Sequence, residues 1–409
     1  MKYLPLANAG AAHGGYQQQV KEGNIKRIFD LVRSGKCKSR AELVRVMNLS
    51  ATSVSVLVEE LAARRLIDEA GPTQTSLPGR RPISLRLNSD AHQIPVFSLQ
   101  RDGVRYTLLN MDCQVLESAF FPLDSAGLTE ADGARRYVQL FVEVLDRHAK
   151  RYDPARALVL GVCFPGSYIE SERLFLTQPT LGFSIPEDDM LELQRLVNLP
   201  VYMFNRTRSL AYAEKKRLDS ANPDDPETRD MIFVEIRDGI RSAMISKGSF
   251  YTGPSNVSGE FGHFTIDYRG RPCPCGNVGC LERYVSLSAI LDDARQACLE
   301  AGVEPPESFE ALAARYPDEP VLRACVDHSA ELLAFGLYGL LCSTGMRRIV
   351  LGGGIEALGE HFLETVDRAV RARAMLIHHL YLSYAQVGPD AECVGIAHHF
   401  LDKVYTITS

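Results

Sequence analysis

Three cysteines, Cys273, Cys275 and Cys280, fall within eight residues of one another, with Gly276 and Gly279 between them and His263 ten residues upstream of the first. Thiolate and imidazole donors gathered on a tight, glycine-containing loop suit tetrahedral zinc. Four protein donors fill the coordination sphere, so the Zn2+ expected at His263, Cys273, Cys275 and Cys280 is structural, with no open position for catalysis. The alternative is three reduced thiols in an ordinary turn. Two carboxylates share the stretch, Glu260 three residues before His263 and Glu282 two after Cys280. Whatever holds His263 and Cys280 therefore also fixes where both carboxylates point. A metal-held imidazole offers its second nitrogen to a partner, and a polar ligand can be that partner.

Read together, Glu260-x-x-His263 and Cys273-x-Cys275-Gly276-x-x-Gly279-Cys280-x-Glu282 resemble the signature of the ROK family of repressors, open reading frames and sugar kinases. The resemblance implies an α/β architecture, a two-lobed actin-like (sugar-kinase, RNase H-like) ATPase fold with a zinc loop. It also implies that Glu260, His263 and Glu282 contact the hydroxyls of a sugar.

A kinase of this kind needs a carboxylate as general base and glycine-rich turns around the ATP phosphates. In the family the base is the Asp of an Asn-Asp pair; after the strand Val201–Phe204 this chain reads Asn205-Arg206. A guanidinium that stays protonated cannot accept the proton. The first phosphate loop, Asp-x-Gly-Gly-Thr in the family, is Phe97-Ser98-Leu99-Gln100-Arg101-Asp102-Gly103 here, and of the second, Gly-x-Gly-x-Gly, only Gly239 survives in Arg237-Asp238-Gly239-Ile240-Arg241. Gly352-Gly353-Gly354 matches the adenosine-side turn, but a tight strand-to-helix turn uses glycines with or without nucleotide.

These losses predict a sensor of a carbohydrate or phosphorylated carbohydrate, not an enzyme, with Asn205, Arg206, Glu260, His263 and Glu282 as ligand contacts. Arg206 either pairs with an anionic effector or closes the site through a salt bridge to Glu260 or Asp238. Two other classes stay open: a kinase using another carboxylate such as Glu260, and a regulator controlled by a protein partner.

The elements that must carry these residues divide the chain. Residues 1–90 hold 14 Lys and Arg against 8 Asp and Glu, whereas the remaining 319 residues hold 31 against 43. A basic segment on an acidic body points to nucleic acid as the partner of the first part only. After a mobile tail over 1–19, the apolar spacing of Ile25, Ile28, Phe29 and Val32 predicts a helix over Gly23–Arg33. Ser39-Arg40-Ala41-Glu42 is a capping box for a second helix, and Ser50 caps a third with Val54, Leu57, Val58 and Leu61 on one stripe. Leu66–Asp68 and Ile83–Leu87 read as two strands around a loop bearing Gly79-Arg80-Arg81-Pro82.

The result is an N-terminal winged helix-turn-helix over 20–90, with Ala51, Thr52, Ser53 and Ser55 toward base edges of a double-stranded DNA operator and Arg80 and Arg81 toward phosphates. The order of SRAEL, LS-x-x-x-V-S and GRRP also resembles the ROK repressors. Val56 and Glu59 stand outward where a basic residue would be unsurprising, which gives weight to binding as a homodimer or tetramer on a palindrome.

Beyond a linker at Ser89–Gln93, strands at Ile94–Leu99, Tyr106–Asn110 and Val115–Phe121, a helix at Ala134–Arg151 and a strand at Ala157–Cys163 compose a first lobe over 91–205. A second lobe over 206–409 carries strands at Met231–Ile236, Ser242–Ser246 and Arg348–Leu351 and a helix around Ala330–Cys342, with the last helix returning to the first lobe. A strand is expected at Phe264–Tyr268. The longest apolar stretch, Leu332–Cys342, is about half of a membrane span, and no leader pattern opens the chain. The cytoplasm, with no membrane partner, is the expected location. No internal repeat is visible in the sequence.

Overall fold

In the computed structural model the described residues are 2–4, 16–72, 83–123, 130–222, 225, 228–253, 258–373 and 379–407. The chain divides into two compact units, Met1–Ser209 with Glu392–Ser409, and Leu210–Ala391.

The first unit opens with strand β1 (Lys2–Leu4) and three helices, α1 (Tyr16–Arg33), α2 (Arg40–Met47) and α3 (Ala51–Ala63). Ser39 accepts from the Glu42 amide and Ser50 from the Ser53 amide, each satisfying an orphan N–H at a helix start. The reciprocal half of the capping box is displaced by one residue, with Glu42 accepting from the Lys38 amide at 2.6 Å. Asn48 takes the left-handed conformation at the end of α2, and the chain turns by 119° between α2 and α3. β2 (Ile67–Pro72) and β3 (Ile83–Leu87) pair antiparallel beside them.

There follow β4 (Gln93–Gln100), β5 (Gly103–Asn110), β6 (Val115–Pro122), α4 (Glu130–Glu143), β7 (Leu160–Phe164), β8 (Ser167–Ile169), β9 (Leu174–Leu176), α5 (Gln178–Leu181), β10 (Ile185–Pro186), α6 (Glu187–Val197), β11 (Val201–Asn205) and α7 (Arg206–Ala221). The main sheet runs β1-β11-β7-β4-β5-β6, with β4, β7 and β11 parallel and the rest antiparallel.

The second unit holds β12 (Met231–Ile236), β13 (Ile240–Ser246), β14 (Ser249–Tyr251), α8 (Glu282–Val285), α9 (Leu287–Ala301), α10 (Phe309–Arg315), α11 (Pro320–Thr344), β15 (Arg348–Gly352), α12 (Gly359–Arg373) and β16 (Tyr381–Tyr384). Its sheet runs β14-β13-β12-β15-β16. Numbered within each unit, with β1 set aside, both sheets have the order 3-2-1-4-5, an antiparallel meander followed by two parallel strands. The sequence shows no matching repeat, since the same strand order can be built from different apolar residues. Finally α13 (Ala391–His399) and a π-turn at Phe400–Val404 return to the first unit.

Three expectations are corrected. Lys2–Leu4, placed in a mobile tail, pairs antiparallel with Val201–Met203 and buries Leu4, and α1 starts seven residues earlier than Gly23. The helix expected to reach Arg151 is α-helical only to Glu143, then a π-turn over Val144–His148. Phe264–Tyr268 forms no strand; only the single bridge Thr265↔Cys280 survives, since the chain must fold back at once to form the cysteine loop.

Buried His399 makes the fold sensitive to acid. Its Nδ1 shares a hydrogen bond with the Tyr202 hydroxyl at 2.8 Å and its ring stacks 4.5 Å from Phe204. Burial, with Lys403 adding repulsion, holds its pKa down to about 3. In the unfolded chain the imidazole returns to about 6.5, so the unfolded state takes up the proton first. The stabilisation is complete above that value and is lost as pH falls through the window between the two. Between about pH 7 and about pH 5 this group alone should cost about 2 kcal/mol. Denaturant titration at both pH values should show that loss in the wild type and its disappearance in His399→Phe.

Candidate metal cluster and ligand site

The loop between β14 and α9 is held by short-range backbone bonds: Ile266 donates to Gly279 O, Leu281 to Phe264 O, and Cys273 to Asn277 O, at 2.8 to 2.9 Å. Gly279 has φ +73°, and a Cβ there would lie 1.6 Å from Asp267 O, so only glycine fits. This turn brings the donor atoms of His263, Cys273, Cys275 and Cys280 within 4.8 Å of one another, a cluster able to hold a metal ion.

Two of its edges can be compared with a metal polyhedron. Cys275 Sγ and Cys280 Sγ are 3.8 Å apart, and Cys273 Sγ and His263 Nδ1 3.7 Å. Tetrahedral zinc–sulfur and zinc–nitrogen bonds give edges of roughly 3.8 and 3.6 Å. Burial pushes the Cys273 thiol up to about 12 and Cys280 upward as well, while the Asn277 amide lowers exposed Cys275. A buried thiol of that kind ionises when a cation replaces its proton.

Glu282 opens α8 and points at this cluster. Its Oε1 lies 3.4 Å from His263 Nδ1 and accepts from Cys273 Sγ at 3.3 Å. Glu260 precedes the 3-10 turn Phe261–His263 and is ion-paired with Arg241 at 2.5 Å. The second unit thus gathers Glu260, His263 and Glu282 on one loop, together with an arginine that the sequence reading did not assign to the ligand. The available signal was Arg241 itself, standing where the family's phosphate loop has a glycine.

Asn205 and Arg206 belong to the first unit. Asn205 ends β11 and caps α7: its Oδ1 accepts from the Arg208 amide at 2.9 Å, and its Nδ2 donates to Gly166 O at 2.5 Å. Arg206 is the half-buried first residue of α7.

At the positions that match the family's second phosphate loop and its adenosine-side turn, donors of the second unit lie beside carboxylates. The Gly354 amide donates to Glu356 Oε2 at 2.8 Å, and Arg237 Nε lies 3.1 Å from Glu235 Oε1 in an ion pair. Arg241 is held by Glu260, as above.

On α3, Ala51, Thr52 and Ser53 are exposed and Ser55 is half-buried. The Ser53 hydroxyl is 2.8 Å from that of Ser50, so it shares in the helix cap. Arg40 bridges Glu69 at 2.6 Å and exposed Glu59 at 3.4 Å. Arg80 and Arg81 lie outside the described residues.

The ROK family's sequence model matches residues 112–402. The chain belongs to the ROK family. Among its relatives, the xylose repressor of Caldicellulosiruptor bescii is 24% identical over 374 residues, covering 88% of this chain and 90% of that one. The xylose repressor of Bacillus subtilis is 26% identical over 398 residues, covering 95% and 98%. A solved ROK family transcriptional regulator, a homolog of the E. coli MLC protein, superposes with a TM-score of 0.79 at 22% identity, covering 94% of this chain and 97% of that one. Among the described residues no single helix is long and apolar enough to cross a membrane.

Proposed function

We propose that this ROK-family chain is a DNA-binding repressor of carbohydrate-metabolism genes whose kinase-derived region binds a carbohydrate and does not phosphorylate it. The observation that carries the reading is a contrast within the second unit. Arg237 and Arg241, at the two positions where the family's second phosphate loop has glycines, stand beside the chain's own carboxylates Glu235 and Glu260, whereas Glu282 stands against the His/Cys cluster with its side chain partly exposed. A carboxylate fixed by a neighbour accepts hydrogen bonds from sugar hydroxyls without being free to swing away.

The winged helix-turn-helix of this reading is α1 to α3 with the β2–β3 hairpin. A turn of about 90 to 120° between the last two helices is the geometry that lays the second one in a major groove. Ala51, Thr52 and Ser55 are then the base-edge contacts, Ser53 serves the cap as much as the groove, and Arg80 and Arg81 meet the backbone. Arg40 is matched by two glutamates, so the net positive field needed near phosphate comes from elsewhere on the module. The protein acts as a homodimer or tetramer on a palindromic operator.

His263, Cys273, Cys275 and Cys280 hold a structural Zn2+, which would fix the loop and through it the direction of Glu260 and Glu282. Glu260, His263 and Glu282 are the sugar contacts of the second unit, and Asn205 and Arg206 those assigned to the first.

The test is fluorescence anisotropy with an operator fragment selected by the protein from random-sequence DNA. D-xylose, D-glucose or glucose 6-phosphate should weaken operator binding by about tenfold or more, with no ATP consumed. Operator binding untouched by any sugar would overturn the sensor; hydrolysis of ATP with a sugar would overturn the loss of catalysis.

A further inference from the structure

The C-terminal segment Ala391–Ile407 touches both ends of a possible signal path within the first unit. At one end α13 lies against the start of α7. A Cβ on Gly395 would sit 1.9 Å from Ser209 O, and Ser209 Oγ donates to Glu392 O. No side chain separates the two helices there, so a displacement of the α7 start, where Asn205 and Arg206 stand, cannot be absorbed by a rotamer change.

From α13 a run of aromatic contacts leads toward the N-terminal helices. Phe204 and Tyr202, on one face of β11, meet His399, and Tyr202 lies 5.7 Å from Phe400 between ring centroids. Phe400 lies 6.0 Å from Tyr405, and Tyr405 packs edge-on against Phe29 of α1 at 5.8 Å. Beside it, Arg33 of α1 is ion-paired with Asp402, both side chains mostly buried.

β1 adds a second hold. It is the one strand, among the described residues, that breaks the matching order of the two sheets, and it precedes α1 in the chain. It pairs with β11, its Tyr3 lies 6.2 Å from Phe400, and its Lys2 reaches buried Glu187 at 3.7 Å. Thus α1 is fastened to the lobe through the C-terminal segment, and the segment just before α1 is fastened to the same strand and the same phenylalanine.

We propose that this seam, from the α7 start through α13, Phe400 and Tyr405 to α1, transmits effector binding to the DNA-binding module; the proposal rests on the sensor reading given above. The C-terminal segment is then a transmission element, and its residues touch neither sugar nor DNA.

The experiment compares the full-length wild type with Tyr405→Leu and Asp402→Asn, using Tyr405→Phe as the conservative control. Operator affinity is measured by anisotropy with and without whichever of D-xylose, D-glucose or glucose 6-phosphate acts on the wild type, and sugar binding by calorimetry. The two test variants should bind operator and sugar within about threefold of wild type, while the sugar-induced change in operator affinity shrinks by about tenfold; Tyr405→Phe should keep the wild-type response. If Tyr405→Leu does not fold by circular dichroism, Asp402→Asn decides. Full responses in the test variants overturn the seam alone, since the wild-type response still stands. A wild type that no sugar affects overturns the sensor reading and the seam with it.

Discussion

Cys280→Ser is expected to empty the His/Cys cluster of metal and to destabilise the second unit by about 4 kcal/mol or more. Cys280 is fully buried, its thiol is 3.8 Å from Cys275 and 3.6 Å from the His263 carbonyl, and the Asn277 side chain reaches it at 3.4 Å. Serine leaves a weaker, protonated donor in a position that cannot re-solvate. Between residues 264 and 281 the loop contributes only two isolated bridges to regular structure; besides turn bonds, Arg271, which reaches Tyr284, the Arg283 carbonyl and Asp293, is its main side-chain hold. Metal content by plasma emission spectrometry and denaturant unfolding followed by circular dichroism read the two effects. Wild-type protein isolated without metal, melting as the variant does, would refute the metal assignment. Wild-type metal retained in the variant would show that Cys280 is not a ligand.

Arg206→Asp should not create a kinase. Restoring a general base is worth about 10² to 10⁴ in rate only where the phosphoryl donor is already bound and aligned. The loop that would align it has Arg237 and Arg241 where the family has glycines, each in an ion pair with a carboxylate of the chain, Glu235 and Glu260, and Glu356 accepts from the Gly354 amide of the adenosine-side turn. A coupled assay for ADP release with D-glucose or N-acetylmannosamine should show no turnover above the no-enzyme background for wild type or variant. Sugar-dependent ADP release from Arg206→Asp would mean that the phosphate turns are intact in function and that the base alone had been lost.

Much of the architecture was legible because it depends on local periodicity. The stripes Ile25, Ile28, Phe29, Val32 and Val54, Leu57, Val58, Leu61 are buried as their spacing predicts, and β12 has the bounds its apolar run suggested. That His263, Cys273, Cys275 and Cys280 come together was legible for a different reason, since their types and spacing on one short loop favour a cluster of donors. Long-range pairing was not legible. Nothing in Lys2-Tyr3-Leu4 names Val201–Met203 as its partner, because a short edge strand is specified by the groove that receives it. The role of Arg241 was equally hidden. A sequence shows a glycine lost from a phosphate turn but not the carboxylate nineteen residues away that meets its replacement.

The carboxylates paired at these turns also bear on which substitutions the chain can accept. Removing Glu260 first would leave Arg241 without its carboxylate, and removing Glu356 first would leave the Gly354 amide without its acceptor, so each single step back costs stability before any nucleotide can repay it. Reversion therefore requires several substitutions at once, none favourable alone. On the sensor reading proposed above, such internal counter-ions would hold the chain in that role against single point mutations.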